Sequence, residues 1–403
     1  MTGVVVIGAG QAGASLCAKL RQSGFDGKLS LVGNEKYPPY QRPPLSKKYL
    51  LGEINLERLY IKPQKFYTDY DINLILGSSI SNINTNRSVV YYNDECLKFD
   101  HLVFTTGSTP RQLPENMVRG LKNIFYIRSV DDVNQMASTF SEGKKALIIG
   151  GGYIGLEAAS VCRQLGINVT LIEMSNRILK RVASPETSNF FRKIHEDQGV
   201  EILESTGLKS FLGESEVTGA ILQDGKTIKF DFVIVGIGII PNDNIAKNAG
   251  LEIENGIKTN LFGQTSNETI WAAGDCASFL FNNKYTRLES VQNAIDQAEN
   301  VAENILGANK EYNPSPWFWS DQYDIKLQIT GLNIGYDKLV VRHKPGDRGL
   351  SHWYFKMGKL ISVDAINDPR SYMIGKRIIE TSKKISPKVI TDFNFDLKNL
   401  LKT

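Results

Sequence analysis

Cysteine and histidine are scarce in this chain. Its 403 residues include four cysteines and four histidines. The cysteines are far apart and form no Cys-x-x-Cys pair; they are Cys17, Cys96, Cys162 and Cys276. This spacing excludes a disulfide framework and argues against a zinc site or any other metal centre. We therefore expect reduced cysteines that lie in the core.

Long apolar runs and a strong charge of one sign are also missing. No apolar stretch approaches the roughly 20 residues that a membrane helix needs. The first predicted strand begins so close to Met1 that we expect no signal peptide. The formal net charge of +4 is too small to indicate nucleic-acid binding. These features predict a cytoplasmic globular protein, of about two or three domains by its length, with neither a membrane nor a nucleic acid as partner.

What the chain does contain is a glycine motif near its start. The apolar residues 4–7 predict a buried strand that runs into a Gly-x-Gly-x-x-Gly turn and then a helix. The glycines of this turn are Gly8, Gly10 and Gly13. The unpaired N–H groups that open such a helix bind a pyrophosphate, and an acid after the next strand binds a ribose hydroxyl. Here strand 28–32 leads to Asn34 and Glu35, so the pattern predicts a dinucleotide site.

The same pattern occurs a second time. Residues 146–149 lead into another glycine turn, and strand 168–172 then ends on Glu173. The residues assigned to this turn are Gly150, Gly152, Tyr153, Ile154 and Gly155. An acid at the position of Glu173 accepts the ribose hydroxyls of NADH and repels the 2′-phosphate of NADPH, so NADH is the expected cofactor. Three nearby cations could weaken this preference: Arg177, Lys180 and Arg181.

Each motif is followed by a further strand that ends in a glycine turn. The residues assigned to these turns are Thr106 and Gly107 for the first site and Gly236 and Gly238 for the second. The predicted fold class is α/β, with two Rossmann-like dinucleotide-binding domains and a small C-terminal α+β domain. The predicted limits are 1–111 and 238–315 for the first domain, 112–237 for the second and 316–403 for the third.

Two segments outside the glycine turns are also candidates for the first site. Residues 36–47 contain four prolines and predict an extended connection that holds Arg42 and Lys47 in place. Beside a flavin dinucleotide, Arg42 would lie near the pyrophosphate and Lys47 at the reactive edge of the ring; otherwise both are solvated charges on a loop. Strand 268–276 reaches Asp275, which is suited to bind a hydroxyl of the cofactor's sugar chain.

The last part of the chain differs in character. Residues 317–323 are rich in aromatic side chains, and short alternating strands and one helix-like segment, 372–384, follow. Between residues 338 and 388 there are twelve Lys or Arg and four Asp or Glu. Such a surplus is usually a solvated face, and the alternative is a surface that attracts an acidic partner.

Taken together, these motifs resemble the NADH-dependent ferredoxin reductases of bacterial cytochrome P450 and ring-hydroxylating dioxygenase systems. The segments that carry the resemblance, beside the two glycine turns, are 42–47, 273–276 and 316–323. The resemblance implies a glutathione reductase-like fold with FAD in the first domain and NADH in the second. It also implies hydride transfer from NADH to FAD, followed by single-electron transfer to an acidic [2Fe–2S] ferredoxin in a transient complex.

The resemblance also assigns individual residues. Positions matching the family's FAD contacts are Ala12, Lys47, Ile80, Arg128, Asp275 and Val291, while 152–155 and Glu173 match the NADH side. Lys47 and Glu157 resemble an ion pair beside the flavin with a role in catalysis. Trp319 is assigned to the nicotinamide site, with a place in the core as the ordinary alternative. Whether Asn34 or Glu35 holds the FAD ribose is left open.

Other readings differ in the electron acceptor or in the class of protein. A rubredoxin reductase differs only in its acceptor. A flavoprotein of the apoptosis-inducing-factor type would turn over slowly and could meet nucleic acid through its basic surface. Cys17 has no partner at the Cys-x₄-Cys spacing of a redox dithiol, which argues against a disulfide reductase. His101 and His195 have no partner pattern and are interpreted as structural.

Overall fold

The computed structural model describes residues 3–343, 346 and 348–402. The strands are β1 Gly3–Ile7, β2 Lys28–Val32, β3 Ile72–Ile75, β4 Ile80–Asn84, β5 Val89–Tyr92, β6 Glu95–Lys98, β7 His101–Phe104, β8 Ser108–Pro110, β9 Ile124–Phe125, β10 Lys145–Ile149, β11 Asn168–Ile172, β12 Glu201–Leu203, β13 Leu208–Leu212, β14 Gly219–Leu222, β15 Thr227–Lys229, β16 Phe232–Val235, β17 Ile239–Pro241, β18 Ile257–Lys258, β19 Ile270–Ala272, β20 Ala277–Phe281, β21 Lys284–Thr286, β22 Trp317–Gln322, β23 Ile325–Gly331, β24 Lys338–His343, β25 Leu350–Lys356 and β26 Lys359–Ile366.

The α-helices are α1 Gln11–Gln22, α2 Gln64–Asp69, α3 Glu115–Val118, α4 Val130–Ala137, α5 Tyr153–Gln164, α6 Pro185–Asp197, α7 Asn244–Asn248, α8 Val291–Ile305, α9 Pro369–Glu380 and α10 Pro387–Thr391. Short 3₁₀ turns lie at Pro43–Ser46, Leu56–Leu59 and Leu397–Leu401. Within the described residues, no helix has the length and apolarity to cross a membrane.

The chain divides into two compact units. The first comprises Met1–Arg42, Ile54–Thr109 and Ile239–Pro314. Its centre is a five-stranded sheet in the order β19-β7-β1-β2-β3, with parallel pairing throughout. Alternate residues of β1 enter different cores, with Val4 and Val6 on one face and Val5 and Ile7 on the other. A strand buried on both faces has to be apolar at every position, as this one is.

The second unit comprises Pro43–Glu53, Pro110–Gly238 and Ser315–Thr403. It contains a second parallel sheet in the order β12-β11-β10-β16-β9. Its C-terminal part is an antiparallel sheet in the order β22-β23-β26-β25-β24, and α9 packs on that sheet through a shared apolar core. Two Rossmann-like sheets and an α+β part confirm the predicted fold class.

Two local predictions are wrong. Segment 36–47 is not extended throughout, because Pro43–Ser46 forms a 3₁₀ turn in which the N–H of Lys47 donates to the carbonyl of Pro44 at 3.0 Å. The fixed φ of proline suits the first position of a helical turn as well as extended backbone, so the proline count alone misleads. Cys96 is exposed rather than buried, since it lies on β6 at the edge of the β4-β5-β6 sheet.

Candidate functional site

The first glycine turn is closed by two tight backbone approaches. Gly8 has φ +118°, and a Cβ there would lie 2.2 Å from the carbonyl oxygen of Thr105. A Cβ on Gly13 would lie 2.2 Å from the carbonyl oxygen of Gly8. Both distances are far below van der Waals contact. Only glycine therefore lets the turn approach Thr105, and α1 approach Gly8, this closely.

The second turn repeats this geometry within the second unit. Gly150 has φ +106°, and its Cβ would lie 2.4 Å from the carbonyl oxygen of Gly236 at the end of β16. A Cβ on Gly155 would lie 2.0 Å from the carbonyl oxygen of Gly150. The predicted residues Gly236 and Gly238 follow β16, the strand beside β10. The two turns are therefore the same structural device.

The middle glycines, Gly10 and Gly152, are different from their neighbours. Each is the N-cap of its helix, where no side chain of the described residues caps the free N–H groups. Apart from the adjoining backbone, no atom of the described residues lies within 4 Å of the position that a Cβ would take on either glycine. By contrast, Ser290 caps α8 through a hydrogen bond from the N–H of Asn293 at 3.1 Å. An uncapped helix start facing open space fits the pyrophosphate of a dinucleotide.

The acid after the first turn pairs with side chains. The Glu35 carboxylate accepts a hydrogen bond from Arg42 at 2.5 Å and a short one from the Tyr40 hydroxyl. Arg42 also donates to the Tyr40 hydroxyl at 3.0 Å. Asn34 is exposed, whereas Glu35 is half-buried. In this structure Arg42 thus lies against the Glu35 carboxylate.

The acid after the second turn is held by backbone. The Glu173 carboxylate accepts the N–H of Gly151 at 2.8 Å and that of Ser175 at 2.7 Å. Arg177 donates to Ser188 Oγ at 2.5 Å and is therefore occupied elsewhere. Lys180 and Arg181 are exposed.

Asp275 lies close to the first glycine turn. It follows Gly274, which has φ +80° and approaches so closely that an added Cβ would be 3.2 Å from the Cβ of Ala12 on α1. Asp275 accepts a hydrogen bond from Ser108 Oγ at 2.9 Å. The Thr106 hydroxyl donates to the backbone carbonyl of Asn242 at 2.6 Å. The other predicted FAD residues of this unit are Ile80, Gly107 and Val291, each half-buried.

Two predicted FAD residues, Lys47 and Arg128, belong to the second unit. Lys47 pairs with Glu157 of α5 at 2.7 Å, where only 4% of the Glu157 side chain is exposed. The Glu157 carboxylate also accepts hydrogen bonds from Ser46 at 2.6 Å and Ser320 at 2.7 Å. The Lys47–Glu157 ion pair that the family resemblance implied is therefore present.

The aromatic strand β22 places its side chains on two faces. Trp319 is half-buried and lies beside Trp317, with ring centroids 5.5 Å apart. Phe318, on the other face, lies 4.9 Å from the ring of Tyr153 at the start of α5. Ile154, the next residue of that helix, is 42% exposed. The start of α5 is therefore packed on one side and open on the other.

Sequence reasoning missed four buried residues that extend the Glu157 contacts. They are Ser46, Ser320, Gln322 and His195. Ser46 and Ser320 lie inside the segments that carry the family resemblance, and Ser320 and Gln322 alternate on one face of β22. That alternation was the available signal. No local pattern indicated His195, whose partners are Gln322 at the end of β22 and Tyr323 directly after it.

Comparison with known proteins identifies the family. Residues 2–298 match the pyridine nucleotide-disulphide oxidoreductase family, and residues 317–401 match the reductase C-terminal family. The chain is 41% identical to a ferredoxin–NAD(P)+ reductase from Sphingomonas, over 99% of this chain and 97% of the relative. It is 36% identical to a putidaredoxin reductase from Pseudomonas putida, over 99% of this chain and 96% of the relative.

A solved structure agrees with these matches. The reductase in a crystal structure of a covalent putidaredoxin reductase–putidaredoxin complex superposes with a TM-score of 0.95 at 36% identity. The superposition covers 99% of this chain and 98% of that one. These findings confirm the resemblance found in the motifs. The chain therefore belongs to the pyridine nucleotide-disulphide oxidoreductase family and is an oxidoreductase of the ferredoxin reductase type that uses FAD and NAD(P)H.

Proposed function

We propose that this chain takes a hydride from NADH and delivers electrons singly to an acidic [2Fe–2S] ferredoxin that serves a cytochrome P450 or a ring-hydroxylating dioxygenase. FAD supplies the step from two-electron to one-electron chemistry. The observation that carries the proposal is the pair of open, uncapped glycine turns, one in each unit. The ferredoxin reductase and putidaredoxin reductase relatives, together with the solved putidaredoxin reductase–putidaredoxin complex, support the choice of acceptor.

The first predicted domain, residues 1–111 and 238–315, binds FAD in this proposal. Its glycine turn receives the pyrophosphate, Glu35 or Asn34 the ribose, and Asp275 a sugar-chain hydroxyl. The remaining contacts of this cofactor are Ala12, Arg42, Lys47, Ile80, Thr106, Gly107, Arg128 and Val291. Region 112–237 binds NADH through its own turn, with Glu173 on the ribose.

Lys47 and Trp319 are proposed to act at the reactive rings. The Lys47 ammonium supplies positive charge that favours hydride arrival, and Glu157 holds that ammonium in one place at 2.7 Å. Trp319 is proposed to line the nicotinamide site. Lys47→Ala is expected to slow bleaching of the flavin absorbance by NADH about ten-fold. Lys48→Ala, which removes the exposed neighbouring ammonium, is the control and leaves the rate unchanged.

The acceptor is tested by NADH-driven cytochrome c reduction under three conditions: no carrier, an added [2Fe–2S] ferredoxin, and an added rubredoxin. Strong stimulation by ferredoxin alone supports the proposal. Stimulation by rubredoxin alone supports the alternative acceptor. Slow turnover indifferent to both, together with salt-sensitive DNA binding, supports a flavoprotein of the apoptosis-inducing-factor type. A cytoplasmic location remains part of the proposal, supported by the four free cysteines.

A further inference from the structure

A continuous chain of hydrogen bonds links His195 to Glu157. The Glu157 carboxylate accepts from Ser320 Oγ at 2.7 Å, and Ser320 Oγ accepts from the amide nitrogen of Gln322 at 3.1 Å. The amide oxygen of Gln322 lies 2.8 Å from His195 Nε2, and the Tyr323 hydroxyl lies 3.2 Å from His195 Nδ1. All these residues belong to the second unit.

The direction of each bond in this chain follows from chemistry. A carboxylate can only accept, so the Ser320 hydroxyl must donate to Glu157 and is left to accept from Gln322. The amide oxygen of Gln322 then requires a donor, which assigns the proton of neutral His195 to Nε2. Nδ1 is thereby an acceptor for the Tyr323 hydroxyl. Every hydrogen bond therefore has one possible direction, so the chain has a single consistent arrangement of protons.

Burial makes this arrangement rigid. Glu157, Ser320, Gln322 and His195 are each 4% exposed or less. A buried carboxylate oxygen that loses its donor pays a large desolvation cost, and hydrogen bonds to charged groups are stronger than neutral ones. Because Gln322 cannot relay a proton without losing its amide form, the chain orients Glu157 rather than conducting protons.

We propose that Ser320, fixed by Gln322 and His195, is a positioning residue that sets the orientation of Glu157 and, through it, the place of the Lys47 ammonium. The Ser320 hydroxyl donates to one oxygen of the Glu157 carboxylate, Oε1. The other oxygen, Oε2, receives Lys47 at 2.7 Å and Ser46 at 2.6 Å. Rotation of the carboxylate therefore moves the ammonium. This inference rests on the proposed role of Lys47 and Glu157 at the flavin.

The test combines two readouts on the FAD-bound protein: the midpoint potential of the bound FAD and the anaerobic single-turnover rate at which NADH bleaches it. Ser320→Ala is expected to shift the potential and to slow the bleaching about ten-fold, whereas Ser320→Thr, which keeps the hydroxyl, restores both. Both effects of Ser320→Ala should vanish in a Glu157→Gln background, because the ion pair between Lys47 and residue 157 is then already lost. Ser362→Ala removes an equally buried serine that donates to the Thr330 carbonyl at 2.8 Å, and changes neither readout.

Equal effects of Ser320→Ala in the wild-type and Glu157→Gln backgrounds would overturn the inference, because Ser320 would then act independently of Glu157. If Glu157→Gln and Lys47→Ala both leave the potential and rate unchanged, the proposed role of the ion pair itself is wrong. If Ser320→Ala fails to retain FAD, Gln322→Leu replaces it, since that change removes the donor to Ser320 from inside the same chain.

Discussion

Glu35 in the first unit and Glu173 in the second follow equivalent glycine turns, but they have different partners. Glu35 is paired with Arg42 and the Tyr40 hydroxyl, so its charge is compensated by a cation. Glu173 is held by the backbone N–H groups of Gly151 and Ser175, and no cation of the described residues forms an ion pair with it. Of these two acids, one is thus paired with a cation and the other is bound by backbone N–H groups.

This difference suits two cofactors. In the proposed function, the Glu173 carboxylate, which has no cation of the described residues paired with it, repels the 2′-phosphate that distinguishes NADPH from NADH. FAD, proposed for the first unit, carries no phosphate on its ribose hydroxyls and needs no such selection. Under this proposal the two units bind a pyrophosphate in the same way and differ in how they bind the ribose.

The largest expected effect comes from replacing the last glycine of each turn by alanine, in one unit at a time. Gly13→Ala and Gly155→Ala place a Cβ 2.2 Å and 2.0 Å from a backbone carbonyl oxygen. Each overlap forces its helix away from its own sheet. We expect Gly13→Ala to yield colourless protein, and Gly155→Ala to yield yellow protein that no longer responds to NADH. Loss of FAD from both variants would show that the two glycine turns do not act on FAD and NADH independently.

Acid should destabilise the second unit through two buried histidines. Burial lowers the pKa of His195 and that of His352 to about 4. The unfolded chain binds these protons near pH 6.5, so stability of the second unit should fall as pH drops from about 6.5 to about 4, by up to about 3 kcal/mol per histidine. Asp364 opposes this, since burial raises its pKa to about 6 and the folded state takes up its proton first.

Two histidines outweigh one carboxyl, so we expect a net loss of roughly 3 kcal/mol across that window. Urea unfolding at a series of pH values measures it. The double variant His195→Gln, His352→Gln should lose most of the acid dependence. The control His343→Gln, at an exposed histidine, should keep it. An unchanged acid dependence in the double variant would contradict the assignment.

Neutralising the two acids separately sharpens the comparison between the halves. Glu173→Gln should lower the ratio of kcat/KM for NADH to that for NADPH by about ten- to one hundred-fold, because the repulsion of the 2′-phosphate is lost. Glu35→Gln should leave this ratio unchanged. Steady-state kinetics with both nucleotides measures it. A shift in this ratio caused by Glu35→Gln would contradict the assignment of cofactor preference to Glu173 alone.

A smaller effect is expected at the open glycines. Gly152→Ala adds a Cβ that meets no other part of the described chain within 4 Å, so folding should be little affected. The same methyl group occupies the space assigned to the NADH pyrophosphate, and the KM for NADH should rise about ten-fold. Gly10→Ala should instead weaken FAD retention. Thermal melting checks the fold of both, and a large loss of stability would show that the space is not free for a ligand.

The smallest effect concerns the thiols. Burial raises the pKa of Cys17 and that of Cys162 to about 12, and Cys276 is also buried. Only Cys96, which is exposed, should react with a thiol reagent in the native protein, and NADH oxidation should be unaffected. Loss of activity on modification would indicate a redox-active cysteine, which the arrangement here does not include.

The parts of the fold that sequence could predict are those with local causes. The turns at Gly8 and Gly150 were predictable because a strand, a glycine spacing and a helix follow one another within a few residues. The turn at Pro43–Ser46 was not, because proline permits both extended and 3₁₀ backbone. The exposure of Cys96 depends on β6 being an edge strand, which strand patterns do not reveal.

The candidate site was predictable in its cofactor turns and not in its supporting contacts. Ser46 and Ser320 lie 111 and 163 positions from Glu157 in the sequence, and serine is too common to mark a contact by itself. The Lys47–Glu157 pair was expected only through the family resemblance. Its hydrogen-bonded support had to be read from the folded chain.

Anaerobic mixing tests the central claim most directly. The purified chain, loaded with FAD, is mixed with one equivalent of NADH, and two equivalents of an oxidised [2Fe–2S] ferredoxin are then added while the visible absorbance of the flavin is followed. The two-site account predicts that NADH bleaches the flavin colour and that the ferredoxin restores it. A colourless protein that takes up no FAD, or a yellow one whose absorbance NADH does not change, would contradict it.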